Sequence, residues 1–173
     1  MNNLDTQLEL QNFATDKDAR LINKLISDEN ELNWDHMLSN LPSVIQEHIW
    51  KYGWFVLKTL WDFVGTIKLE KIEDKWIILY EKWWLIVRNE YRNEWHGTFL
   101  QKSLHHYYDD KPIYSVTNVE TVKKMNLDLW NIEFKKNEIS TELLSIIEIP
   151  GALLDDDVVF FNKTAINLYD IKK

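Results

Sequence analysis

The side chains in this sequence that could hold a metal or move a proton gather in three places. His105-His106 is followed by Asp109 and Asp110, so four potential ligands fall close together. On a helix, His105 and Asp109 share a face at i, i+4, and His96 lies a short way upstream. Adjacent histidines point in different directions, however, and neither HExxH nor a similar ligand spacing occurs. Glu133-Phe134-Lys135 and Glu73-Asp74-Lys75 show the acid-x-Lys spacing of metal-dependent nucleases, in which carboxylates hold the metal and lysine orients water. The second triplet falls in a predicted turn; the first ends a predicted strand, with Asp109 and Asp110 upstream. Such triplets arise readily by chance among 28 acids and 20 bases. Asp155-Asp156-Asp157 has charge enough for a hard cation but lacks the spaced ligands and distal glutamate of a calcium loop. It reads as a charged turn within an acidic surface.

Other chemistries are excluded outright. The chain has no cysteine, which removes disulfides, Cys-ligated zinc, iron–sulfur clusters and a cysteine nucleophile. No Gly-x-Ser-x-Gly elbow, GxGxxG or GxxxxGK[ST] is present. The sequence therefore designates no catalytic residue, no metal site and no cofactor.

Tryptophan is the other distinctive resource. Seven of the nine tryptophans lie between Trp50 and Trp95, and such side chains dominate cores and interfaces. Trp54, Trp61, Trp76, Trp83 and Trp84 sit in apolar patterns and read as core. Tyr91 and Trp95 stand instead among Arg88, Arg92, Asn93, Glu94 and His96, the aromatic-plus-arginine mixture of protein-binding hot spots. Arg88, Tyr91, Arg92 and Trp95, with Asp155, Asp156 and Asp157, are the partner-binding candidates. The same mixture could stack bases, but a net charge of −8 disfavours direct nucleic-acid binding. That charge is uneven: residues 66–102 carry six acids against seven bases, while both flanks are acidic.

These residues have to be positioned by local structure. Thr15 with Asp18 reads as a capping box, and Leu21, Ile22, Leu25 and Ile26 make one helical face, predicting a helix over about 16–28. Asn33 is expected to cap a second short helix, and Pro42 to open a third that closes at Gly53. Residues 54–64 read as helix from the spacing of Trp54, Leu57, Trp61 and Val64. After Gly65 the period becomes two. Ile67 and Leu69 alternate with Lys68 and Glu70, predicting a strand with one wet face, while WIILYE and WWLIVR predict strands apolar on both faces, with a hairpin at Glu81-Lys82 favoured over one long strand. A helix over 98–108, a strand at PIYSVT and a helix capped by Asn118 follow. Strands are predicted at LDLWNIEF and 142–149, then a C-terminal hairpin of VVFF and AINLYDI.

The sum is a single α+β domain over 1–173, with 1–65 mainly helical and 66–173 mainly β with one or two helices. Its N-terminal helices pack on a mainly antiparallel sheet with a central β-meander at about 66–88. The start lacks a secretory signal, and the longest apolar run, Trp54 to Val64, is broken by Lys58 and Asp62, so a cytoplasmic setting without membrane association is expected. The functional expectation is a non-enzymatic acidic protein acting by stoichiometric contact, such as a bacterial or phage-type immunity protein or inhibitor of a nuclease or defence effector. Its partner would be a basic or nucleic-acid-binding protein, and an uncovered sheet face would accommodate a homodimer. The alternatives are a metal-dependent hydrolase or nuclease and a nucleic-acid-binding accessory protein. On this reading Trp76→Ala should destabilise by about 3–5 kcal/mol as a core truncation, whereas Trp95→Ala should spare stability and impair binding.

Overall fold

The computed structural model describes residues 9–11, 15–33, 53–59, 62–92, 95–148 and 157–172. Strands β1 (Glu9–Gln11), β2 (Gly53–Lys58), β3 (Phe63–Asp74), β4 (Ile77–Val87), β5 (Ile113–Thr117), β6 (Ile132–Lys135) and β7 (Val158–Phe161) form a seven-stranded sheet in the order β1-β2-β3-β4-β5-β7-β6. The described helices are α1 (Asp16–Asn33), α2 (His96–Tyr107), α3 (Glu120–Asp128), α4 (Thr141–Ile147) and α5 (Lys163–Leu168). The pairings β1–β2, β2–β3, β5–β7 and β6–β7 are antiparallel, and β4–β5 is parallel. The fold is therefore α+β with a mainly antiparallel sheet, as the sequence predicts. The expected second and third helices, within 34–52, lie outside the described residues.

The chain divides into two compact units, Met1–Leu69 with Trp83–His105 and Glu70–Lys82 with His106–Lys173. In the first, Ala19, Ile22, Leu25 and Ile26 of α1 bury against Trp54, Val56, Phe63 and Ile86. The helix starts as predicted: the Thr15 backbone N–H and hydroxyl both donate to Asp18 Oδ2 at 2.8 Å. Asp18 is buried and also pairs with Lys58 Nζ at 2.6 Å. Burial pushes its carboxyl up, but the hydrogen bonds from Lys58 and Thr15 outweigh it and hold the pKa below the ordinary aspartate value. At Gly65 a Cβ would lie 2.5 Å from the Ile86 carbonyl oxygen, so only glycine permits this approach of the backbones.

In the second unit, Leu143, Ile146 and Ile147 of α4 and Ala165 of α5 pack with Ile77, Leu79, Tyr114, Phe134, Val159 and Phe161 of the strands. Asn162 organises one corner: its Oδ1 accepts from the N–H groups of Ala165 and Ile113, and its Nδ2 donates to the Lys111 carbonyl. That caps α5 and seats the start of β5 with one side chain.

Five local expectations are corrected. Residues 53–58 are a strand, not part of a helix over 54–64; the three- and four-residue spacing of large apolar side chains arose because both strand faces are buried. Ile77–Val87 is one continuous strand, with no hairpin at Glu81-Lys82. The turn is Lys75-Trp76, with Lys75 in the left-handed region at φ 52, and it leaves Trp76 91% exposed rather than in the core. Residues 141–147 and 163–168 are helices where strands were predicted, so no C-terminal hairpin forms and β7 pairs with β5 and β6 instead. Finally, α3 begins after Val119 rather than being capped by Asn118.

The roles of two tryptophans therefore separate. Trp54→Ala, at a fully buried position, should cost about 3–5 kcal/mol in urea unfolding, and Trp76→Ala should change stability by less than about 0.5 kcal/mol. Equal losses would mean that the Lys75-Trp76 turn is packed.

Candidate functional site

Charged side chains inside a strand are costly unless something holds them, and β4 buries two in succession, Glu81 and Lys82. Consecutive strand residues face opposite sides of a sheet, so each has its own partners. Glu81 opposes Tyr114 of β5 in the parallel register, and the Tyr114 hydroxyl donates to Glu81 Oε2 at 2.8 Å. Burial, reinforced by the Glu81 charge and the hydrogen bond, pushes the Tyr114 hydroxyl far above the ordinary tyrosine range.

On the other face, Lys82 Nζ donates to Asn126 Oδ1 at 2.6 Å. The same oxygen accepts from Ser115 Oγ at 3.2 Å and from Asn131 Nδ2 at 3.1 Å. Asn126 Nδ2 donates to the Val122 carbonyl, so its amide is oriented by its own helix. Burial alone lowers the Lys82 pKa to about 7, because the low-dielectric surroundings disfavour the charged amine. Asn131 Oδ1 is buried without a hydrogen-bond partner.

The turn after α3 assembles this cluster. Trp130 adopts a left-handed conformation at φ 61, and the Asn131 N–H returns to the Asn126 carbonyl. That is the Schellman closure, ordinarily made with glycine. Tryptophan at this position stores backbone strain and leaves its ring 88% exposed. Without a glycine signal, the sequence pattern LDLWNIEF reads as uninterrupted strand, and neither Asn126 nor Asn131 stands out. Lys82 was hidden in the same way, inside a presumed hairpin.

In the first unit the described part of the predicted Arg88–His96 segment is tied down by local contacts. A 3-10 turn, Asn89–Tyr91, follows β4. The Arg88 guanidinium pairs with Asp62 and Glu90, and the Tyr91 hydroxyl donates to Asp62 Oδ2 at 3.1 Å. Arg92 Nε donates to the Val87 carbonyl at 2.8 Å. His96 is buried with Nδ1 3.1 Å from the Tyr91 carbonyl, an acceptor, so Nδ1 carries the proton. Trp95 packs edge-on against Phe99 and remains 53% exposed. Of the partner-binding candidates, Arg88, Tyr91 and Arg92 thus serve the loop itself, and Trp95 is the exposed one. Asp157 is half-buried just before β7; Asp155 and Asp156 lie outside the described residues.

The first turn of α2 contains no acidic side chain and begins with buried His96 and Gly97. A helix N-terminus of this kind favours an anion. Among the described residues no group of three or more His, Asp or Glu side chains converges. Asp110 pairs with Lys111, and the Asp109 carbonyl accepts from Thr164. Glu133 and Lys135 are both exposed on β6. No described helix is long and apolar enough to cross a membrane.

No protein-family model matches the chain, and no curated protein sequence resembles it. Solved structures do. N-acetylglutamate synthase from Neisseria gonorrhoeae, complexed with coenzyme A and N-acetyl-glutamate, superposes with a TM-score of 0.67 at 12% identity over 90% of this chain and 34% of that one. An acetyltransferase of the GNAT family from Streptococcus pneumoniae gives 0.62 at 10% identity, covering 90% of this chain and 99% of that chain. A Salmonella typhimurium protein named for the same activity, solved with its cofactor acetyl-CoA, gives 0.64 at 11% over 90% and 92%. The chain thus spans about a third of the synthase but nearly the whole of the smaller proteins. The shared fold overturns the expectation of a non-enzymatic immunity protein or inhibitor, and it lends nothing to the nuclease, hydrolase or accessory-protein alternatives.

The buried lysine has a measurable consequence. Below about pH 7 it is charged in both folded and unfolded chains, and the full burial penalty applies. From there up to the ordinary lysine value the unfolded chain binds one more proton, so stability rises with pH by about 1.4 kcal/mol per unit. Lys82→Met should remove this slope and be more stable than the natural chain at pH 6. Parallel stability-against-pH curves for the two proteins would refute the burial.

Proposed function

We propose that this chain is an enzyme that transfers the acetyl group of acetyl-CoA to an acceptor amine. The observation that carries the reading is the superposition on acetyltransferases over 90% of this chain, combined with buried, proton-bearing side chains on β4. Binding structures and signalling modules have little reason to place Glu81 and Lys82 inside β4, whereas group transfer needs such groups near the chemistry. Acceptance of an amine follows the N-acetyl product held by the gonococcal synthase.

The residues present fit an anionic, phosphate-bearing donor. The first turn of α2 offers backbone N–H groups without an opposing acid, and the segment around it is the part of the chain that is not acidic. His96, Gly97 and Thr98 would hold phosphate there. The donor supplies an activated thioester; the chain's part is to bind the phosphates, orient the acceptor and accept its proton. The absence of cysteine suits the cytoplasmic setting read from the sequence, which stands as part of this proposal.

Acetyl-CoA should bind in calorimetry with an affinity that falls as salt rises, as phosphate contacts require, and thiol should be released when an amine is supplied. Thr98→Asp should stabilise α2 through its dipole yet weaken acetyl-CoA binding by roughly tenfold. A chain that binds neither acetyl-CoA nor free coenzyme A is not this enzyme.

A further inference from the structure

We infer that the exposed indole of Trp95 is the platform on which the adenine base of the acetyl donor stacks. The inference rests on the acetyl-transfer reading, and every residue it uses belongs to the first unit. It begins with the residue that opens α2. The Trp95 carbonyl accepts from the Phe99 N–H at 2.8 Å, which makes Trp95 the N-cap of the helix. That position ordinarily carries serine, threonine, aspartate or asparagine, whose side-chain oxygen accepts from the first N–H groups. An indole has no such oxygen. A flat ring therefore stands where a polar cap belongs.

The ring is held in place and still open. His96 lies against it with ring centroids 4.8 Å apart and planes tilted by 30°, and Phe99 meets it edge-on at 5.2 Å. His96 is itself buried, edge-on to Tyr91 at 5.7 Å and bonded to the Tyr91 carbonyl, so the support behind the indole is fixed. Even so, Trp95 is 53% exposed. A side chain already held in this way loses little freedom when a second flat ring lies on it. Stacking alone accepts any base, because every base has a π face. The neighbourhood adds the selection: the ring stands at the first turn of α2, where no acidic side chain opposes a phosphate. A ligand that suits both features carries phosphates next to a planar base, and acetyl-CoA has one such base, its adenine. Trp95 is accordingly a binding and specificity residue. It favours donors that carry the nucleotide over phosphopantetheine thioesters that lack it, and it takes no part in the proton steps.

The test compares the natural chain with Trp95→Leu, which keeps apolar bulk, and with Trp95→Phe, which keeps an aromatic face. The calorimetric probes are acetyl-CoA, the bisphosphoadenosine fragment of coenzyme A, and S-acetyl phosphopantetheine. Trp95→Leu should weaken acetyl-CoA and the adenosine fragment by roughly tenfold to a hundredfold, the usual contribution of one stacked base. Its affinity for S-acetyl phosphopantetheine should stay within about twofold of the natural chain, since that ligand has no base to stack. Trp95→Phe should recover most of the loss. In NMR, the adenine ring protons of the bound fragment should move upfield on the natural chain and on Trp95→Phe but not on Trp95→Leu, a signature that a merely structural indole would not produce. Equal losses for all three ligands, or no loss for any, overturn the platform but leave acetyl transfer standing. Should Trp95→Leu fail to fold, the adenine shifts on the natural chain decide alone, and their absence overturns the platform. Failure of the natural chain to bind acetyl-CoA overturns both readings.

Discussion

One oxygen atom holds the second unit's polar interior together. Asn126 Oδ1 accepts from Lys82, Ser115 and Asn131, tying β4, β5, α3 and the turn after α3 to a single acceptor. A buried polar group left without its hydrogen bond costs more than a made bond contributes. The consequence reaches the backbone. Asn131 arrives at the cluster because Trp130 accepts a left-handed conformation that glycine would adopt without strain. A strained turn, an exposed tryptophan and a buried lysine are thus parts of one arrangement.

The first unit solves a different problem with the same economy. Arg88, Tyr91 and Arg92 resemble a binding patch in sequence, but Asp62, Glu90 and the end of β4 satisfy them. Their work is to shape the loop that starts α2 with His96 and Gly97 buried and no acid in its first turn. The charge pattern that suggested a protein partner is in part taken up by contacts within the unit.

Much of the architecture was legible from periodicity. The capping box of α1, its apolar face, β3, β5, β7 and the helix after Trp95 follow from residue spacing and local turn and cap signals. Where both faces are covered, spacing misleads. Residues 54–58 looked helical because both strand faces are buried and the period of two is lost, whereas 142–147 is a short helix buried along one face that its apolar run did not reveal. β4 looked like two strands because a charged pair inside a strand ordinarily marks a turn.

By itself, then, the sequence determined the α+β class, the absence of cysteine chemistry and of Gly-rich phosphate loops, and an acidic chain with a neutral middle. These depend on composition and on contacts between near neighbours. The tertiary structure decided which partners the charges meet. Lys82 meets Asn126 across 44 positions and Tyr114 meets Glu81 across 33, separations at which no residue pattern records the partner. A lysine in a sequence is a solvated cation until a fold buries it, and burial is what moves its proton into the range where it can serve a reaction.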